Sequence, residues 1–341
     1  MKLETTYLGL HLRNPLVASA GPLSQSVEQM QALADAGVGA IVMYSLFEEE
    51  LRNQAEADEL LIDLSSGGFA EALSYFPMYD EEQTPESLAT GYLRLVEQAA
   101  QTVSVPVLAS LNGSSPGSWV RFAERLQDAG AAGIECNVYF VPGDVDVTGE
   151  QVENRHVEIA QAVAEAVSIP VAVKLSPQLS SVGHLAMRLA GTGIKGLTMF
   201  SRSFQPDVDI DALRVEPGVT LSRPDDAVLP RTWIAALRNH LPNTSLAATS
   251  GVESAADVVK YLLAGADVVM STSALVRHGV GHVAELLAGV EEWAKIKGFE
   301  SVDDFRGMLA VPTDAEPNAY QRAGYYTALD AAKTKYGSPT A

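Results

Sequence analysis

Val171-Ala172-Val173-Lys174-Leu175-Ser176 is a short apolar run with an ammonium where β-branched core residues would be expected to continue. Side chains alternate along a strand, so Ala172, Lys174 and Ser176 share one face while Val171, Val173 and Leu175 share the other. Burying an isolated ammonium is costly, so a strand lysine must either snorkel to solvent or meet an anion, for example an electron-rich cofactor. Alone, Lys174 reads as well as a structural residue as a functional one, and its surroundings decide between them.

Outward from this run, short β-like segments alternate with helix-like ones to the C-terminal third of the chain. Strands are expected at 16–21, 40–45, 105–111, 133–139, 171–176, 196–201, 245–251 and 267–271. Helical apolar spacing is found at 26–36, 86–103, 118–129, 151–167, 183–190, 227–240, 254–264 and 284–296. Gly37, Gly130 and Gly265 each follow an alanine and precede a small apolar residue, where a left-handed helix stop turns the chain into the next strand. Eight such units predict an α/β fold, a closed (β/α)8 TIM barrel with long loops at its C-terminal rim. The expected organisation is one domain over 1–341, with the barrel at about 14–297 and a tail at 298–341.

Residues 3–13 alternate weakly about Gly9 and read as a hairpin closing the barrel bottom. Three connections are unusually long, at about 46–85, 140–150 and 202–226, and all leave the strand ends where barrel enzymes place their sites. The first opens with Glu48-Glu49-Glu50, which as a charge run reads as a solvated face. Its later Phe69, Tyr75 and Phe76 suggest a segment folded over a ligand. The tail, with Tyr320, Tyr325, Tyr326 and Tyr336, has polar helical patterning and is expected to pack on the barrel or on a second subunit.

With 23 Lys and Arg against 43 Asp and Glu, the chain carries a formal charge of −20, which argues against nucleic acid and anionic membranes as partners. The N-terminus lacks a signal-like apolar run and no stretch approaches a membrane span, so a cytoplasmic location is expected. One cysteine, Cys136, rules out an intramolecular disulfide framework and an all-cysteine cluster. The six histidines are scattered without metal-ligand spacing, and no metal is expected.

Chemistry gathers at strand ends. Thr249-Ser250-Gly251 and Ser271-Thr272-Ser273 follow the seventh and eighth strands, where free amides and hydroxyls form the usual phosphate cradle of this fold. Either string alone would also suit tight strand-to-helix packing. The fourth strand puts Glu135, Asn137 and Tyr139 on one face and Cys136 among the helices; Glu135 and Asn137 would satisfy Lys174 and offer polar contacts to a planar heterocycle.

These pieces, in this order, resemble the dihydroorotate dehydrogenase family of FMN-containing barrels. The resemblance runs from about residue 8 to 279 and rests on Asn14-Pro15-Leu16-Val17-Ala18-Ser19-Ala20-Gly21, on Glu135-x-Asn137, on Val173-Lys174-Leu175-Ser176-Pro177 and on the paired loops. It implies FMN as cofactor, with Ala18, Ser19, Ala20 and Gly21 along the ring edge. Ser45, Asn112, Asn137 and Ser201 would lie among the flavin contacts, Lys174 near N1 and O2, and Ser250, Gly251, Thr272 and Ser273 on the phosphate. It also implies a homodimer, with a soluble or protein electron acceptor.

The family's proton-abstracting Cys or Ser, three residues beyond the strand-four Asn, is here Phe140. Its second-strand lysine aligns with Tyr44, its sixth-strand Asn near Ser201 and its loop Asn near Met78. The flavin half is therefore kept and the orotate half is not, leaving Tyr44 and Tyr139 as candidate bases and Arg202 or Arg223 as anchors for an anionic substrate. The expectation is an FMN oxidoreductase transferring a hydride to or from a substrate CH–CH carbon, with dihydroorotate and a pyrimidine-biosynthesis role disfavoured. Two alternatives remain at this stage: a phosphate-ester lyase or isomerase using Lys174 as Schiff base, and a non-catalytic FMN electron-relay subunit.

Overall fold

The computed structural model describes residues 1–50, 88–113, 119–139, 144–202, 205–216, 218 and 220–337. The chain opens with an antiparallel hairpin, β1 (Thr5–Tyr7) and β2 (Leu10–Leu12), turned at Leu8 and Gly9 with φ of 55° and 82°. Two consecutive positive φ values match the right-handed twist of the flanking strands. Tyr7, Leu8 and Leu12 are buried, and the Leu8 N–H donates to Ser245 Oγ at 3.0 Å. A Cβ at Gly196 would run into Leu8 Cδ2, so glycine there leaves room for the plug.

Eight strands follow: β3 (Leu16–Ala18), β4 (Ala40–Phe47), β5 (Val107–Gly113), β6 (Gly133–Val138), β7 (Val171–Leu175), β8 (Gly196–Met199), β11 (Ser245–Ala248) and β12 (Val268–Ser271). They pair in parallel in that order, and β12 closes on β3. The intervening pair β9 (Asp207–Asp209) and β10 (Arg214–Glu216) forms a separate antiparallel hairpin in the loop after β8. The barrel thus closes with the predicted eight strands, each within a few residues of its expected position.

Between the strands run α1 (Val27–Ala36), α2 (Leu88–Thr102), α3 (Trp119–Asp128), α4 (Gly149–Ala166), α5 (Val182–Ala190), α6 (Val228–Leu237), α7 (Ala255–Ala264), α8 (Ser273–His278) and α9 (His282–Lys297). The three stop glycines, Gly37, Gly130 and Gly265, have φ of 117°, 92° and 114°. Two hydrophobic layers result. Val17, Val42, Leu108, Ala172 and Val268 fill the barrel's lower interior with the hairpin plug, while Ile41, Val173, Leu185 and Leu262 belong to the layer between barrel and helices.

One irregularity governs the rim. β4 pairs with β5 as Ile41↔Val107 and Val42↔Leu108, then as Ser45↔Ser110, so one extra residue is accommodated around Met43 and Tyr44. Such a bulge inverts the alternation beyond it. Val42 and Ser45 consequently both point inward, and Ser45 Oγ lies 2.8 Å from Ser110 Oγ.

After α9, Val302 and Phe305 are buried, with Phe305 stacked edge-on at 5.1 Å from Trp293. The Leu309 N–H donates to Leu263 O and the Val311 N–H to Ala235 O, so this part of the tail packs on the barrel as expected. The last helix, α10 (Pro317–Tyr336), leaves Tyr325 and Tyr326 exposed, so these two rings do not pack on the barrel. The side chains of Tyr320 and Tyr336, like Phe69, Tyr75, Phe76, Met78 and Phe140, lie outside the described residues. Among the described residues no helix is long and apolar enough to cross a membrane.

Candidate active site

Above the apolar plug the barrel interior turns polar. Lys174 Nζ donates to Glu135 Oε1 at 3.2 Å across the β6–β7 pair, and Thr198 Oγ1 donates to Glu135 Oε2 at 2.9 Å from β8. Glu135 is completely buried and Lys174 is 8% exposed. The lysine therefore has a protein anion of its own, and the expected Glu135 contact is made. Asn137, facing Lys174 in register, does not share it: its Oδ1 is buried without a hydrogen-bond partner among the described residues. An ammonium has three donors, so the Glu135 contact leaves others for the space above.

That space is a cavity of about 270 Å³ at the C-terminal ends of the strands. One wall is the segment after β3, whose Ser19 N–H donates to Ser271 O at 3.2 Å and whose Ser19 carbonyl accepts from Thr272 Oγ1 at 2.8 Å. Gly21 closes against the same threonine, because a Cβ there would sit 2.7 Å from Thr272 Cγ2. The opposite wall is the turn after β11. Ser250 adopts φ 77°, a left-handed conformation that disfavours a side chain, and the buried Tyr261 of α7 holds the turn by donating to Ser250 O at 2.8 Å. Burial raises the Tyr261 phenol and keeps it a donor.

The third wall comes from the loop after β8. Ser222 donates from its backbone N–H to Ser273 Oγ at 2.9 Å, its hydroxyl lies 3.0 Å from the same atom, and its Oγ accepts the Gly251 N–H at 3.1 Å. Three loops thus meet in one hydrogen-bonded cluster beside the cavity. Ser271 Oγ, also on the lining, is buried without a partner among the described residues.

The structure brings Ser19, Ala20, Gly21, Ser45, Asn137, Lys174, Ser201, Ser250, Thr272 and Ser273 onto this lining. Ala18 packs instead in the barrel–helix core, Asn112 pairs in register with Asn137 one residue before the end of β5, and Gly251 is absent from the lining with its N–H committed to Ser222. The two candidate bases stand apart from the lining. The bulge in β4 turns the Tyr44 ring onto Tyr92, edge-on at 5.1 Å, and gives the inward place to Ser45. Burial, with the charge of Glu50, raises the Tyr44 phenol further and works against its acting as a base. Tyr139 follows the end of β6 and is half-buried.

Ser201 spends its hydroxyl on Leu175 O at 3.2 Å. Of the two arginines, Arg202 reaches the cavity and is ion-paired to Asp226 at 2.8 Å, whereas Arg223 is exposed and absent from the lining. Cys136 is core, its thiol pushed up by burial and by the Glu135 charge. Sequence reasoning missed Thr220, Leu221 and Ser222; the length of their loop was the only signal. Among the described residues no group of three His, Cys, Asp or Glu could hold a metal.

Comparison with known proteins fits this geometry. A family model described as dihydroorotate dehydrogenase matches residues 85–293. The catalytic subunit of dihydroorotate dehydrogenase B (NAD(+)) from Methanothermobacter thermautotrophicus is 26% identical over 318 residues, covering 90% of this chain and 98% of the relative. Its counterpart from Methanosarcina mazei is 24% identical over 310 residues, covering 90% and 95%. The PreA subunit of the NAD-dependent dihydropyrimidine dehydrogenase of Escherichia coli is 22% identical over 327 residues, covering 90% and 76%. These relatives are subunits of dehydrogenases, and the likeness covers 90% of this chain. Since the family model covers more than half of the chain and the eight strands close as that barrel, the protein belongs to the dihydroorotate dehydrogenase family of oxidoreductases.

Proposed function

We propose that the chain is an FMN-dependent oxidoreductase acting on a CH–CH group, with dihydroorotate a poor substrate. The observation carrying this reading is one cavity lined both by a lysine with an amide oxygen unpaired among the described residues and by a three-loop cluster of hydroxyls and amides. A phosphorylated heterocycle needs both ends. The residues fit the group: Asn137 Oδ1 and Ser271 Oγ are buried without partners among the described residues, and glycine at 21 keeps the wall open beside Thr272. When bound, FMN would supply two-electron chemistry, exchanging a hydride with the substrate at N5.

Lys174 would hold positive charge at the pyrimidine side of the ring, and Glu135 would orient that ammonium. Asn137 would contact the ring edge, while Ala20 and Gly21 would flank it. Ser250, Thr272 and Ser273 would receive the phosphate, with Gly251 shaping the turn behind them. Arg202, steadied by Asp226, offers the remaining cavity a cation for an anionic substrate group. With Phe140 at the family's base position and Tyr44 turned onto Tyr92, neither supplies a base. A Schiff-base role is disfavoured by the ion pair, because a nucleophilic amine must be neutral while Lys174 lies against a carboxylate.

The test is the absorption spectrum of purified protein and the identity of the acid-released cofactor. About one FMN per chain and a band near ~450 nm are expected. Released FAD, or a colourless protein that takes up no added FMN, refutes the reading. A homodimer is part of the proposal: Val208, Ile210, Leu213 and Val215 expose an apolar ribbon on the β9–β10 hairpin that suits a second copy, and light scattering measures it. A wild-type protein that is yellow and dimeric yet reduced by no substrate favours the electron-relay alternative.

A further inference from the structure

The loop that carries Ser222 is fastened by ionic hydrogen bonds from outside the cavity lining. Arg277, in the last turn of α8, donates from Nη2 to Ser222 O and from Nη1 to Glu253 Oε2, both at 2.6 Å. Glu253 belongs to the loop after β11, and its other oxygen lies 2.5 Å from His278 Nε2. His282 Nε2 lies 3.0 Å from the Glu253 carbonyl. The hydrogen bond from His278 and the charge of Arg277 lower the Glu253 pKa and favour its ionised form. One guanidinium therefore ties together the three loops that meet at the Ser222–Ser273–Gly251 cluster.

The arrangement has a direction. Arg277 grips the Ser222 carbonyl from behind, so the peptide is held while its amide and hydroxyl face Ser273. Charge-assisted hydrogen bonds are the stronger kind, and a planar fork with two acceptors fixes orientation as well as distance. Loop 220–222 has no regular secondary structure to hold it there.

We propose that Arg277, oriented by Glu253, is a positioning residue that sets Ser222 in the phosphate end of the cavity and so makes the site prefer a phosphorylated flavin over the same flavin without phosphate. This rests on the FMN reading and goes beyond it by assigning the preference to residues that need not touch the cofactor.

The test is fluorescence titration of flavin-stripped protein with FMN and with riboflavin, for wild type and for Arg277→Gln, Arg277→Lys and Glu253→Gln. Arg277→Gln should weaken FMN by about tenfold or more while riboflavin changes by no more than about twofold, because only the phosphate end is disturbed. Arg277→Lys should recover part of the loss, since an ammonium cannot fork across both acceptors. Glu253→Gln should show a smaller loss of the same selectivity, and it carries the test should Arg277→Gln not fold. Wild type that prefers FMN while both Arg277→Gln and Glu253→Gln keep that preference overturns the role of Arg277 alone. Equal weakening of both flavins shows a merely structural role and also overturns it. Wild type that binds neither flavin overturns the FMN reading and this inference with it.

Discussion

Replacing Lys174 by methionine keeps most of the side-chain volume and removes the charge. Glu135 would remain completely buried, with the Thr198 hydroxyl at 2.9 Å its one other hydrogen-bond partner among the described residues. Stranding a buried charge by deleting its partner costs roughly 3–5 kcal/mol. Lys174 is only 8% exposed, so solvent screening offsets little of this. With an unfolding entropy of roughly 2.1 cal/mol/K per residue, such a loss lowers the melting temperature by about 4–7 °C for a chain of this length. Urea unfolding followed by tryptophan fluorescence, together with thermal melts, measures both quantities. The double variant Lys174→Met with Glu135→Gln should recover most of the loss, because a neutral amide can still accept from Thr198 and no charge is stranded. That double variant also separates stability from chemistry: folded but without the ammonium, it should reduce its flavin more slowly. A single variant that loses less than about 1 kcal/mol, with no recovery in the double, would refute the buried-pair argument.

Dihydroorotate should reduce the bound flavin about 10²–10⁴-fold more slowly than in a relative with a positioned base, because Phe140 stands where that base is expected; anaerobic stopped-flow reduction is the measurement, and rapid reduction would show that another residue serves. Gly251→Ala should cost about 1–3 kcal/mol and loosen the phosphate end, since Gly251 has φ 68° and a Cβ would lie 2.5 Å from Ala227 N; thermal melts and FMN titration read the two effects. His156 is 2% exposed, and burial lowers its pKa despite the hydrogen bond to Val152 O. The unfolded chain therefore takes up the proton more readily, so stability should be lost as pH falls from about 6.5 and should level off below the folded-state value. His156→Gln should flatten this part of the melting profile, and an unchanged profile would assign the acid sensitivity elsewhere.

The barrel was legible in the sequence because its signals are local. Period-2 apolar runs, helical spacing and the stop glycines Gly37, Gly130 and Gly265 each depend on a few neighbouring residues, and all eight strands appear where these cues place them. The small residues of Thr249-Ser250-Gly251 and Ser271-Thr272-Ser273 likewise show in the chain itself which strand ends are left open. The apolar pattern runs two or three residues beyond the ladder at 16–21, 196–201 and 245–251, where the chain leaves the sheet to build the rim while its composition stays apolar and small.

Side-chain direction and partnership were decided by tertiary structure. Strict alternation cannot reveal the extra residue accommodated around Met43 and Tyr44, because the bulge exists only in the pairing of β4 with β5; that register replaces Tyr44 by Ser45 at the cavity. The sequence marked Lys174 as a charge needing an anion and placed Glu135 on the neighbouring strand, but the 3.2 Å contact depends on the register of β6 and β7. The Ser222–Ser273–Gly251 cluster and the Arg277–Glu253 pair join segments tens of residues apart, one of them from a loop with no motif of its own. Periodicity records which face of an element is buried; which side chains then meet depends on how the barrel closes and brings its loops to a common rim.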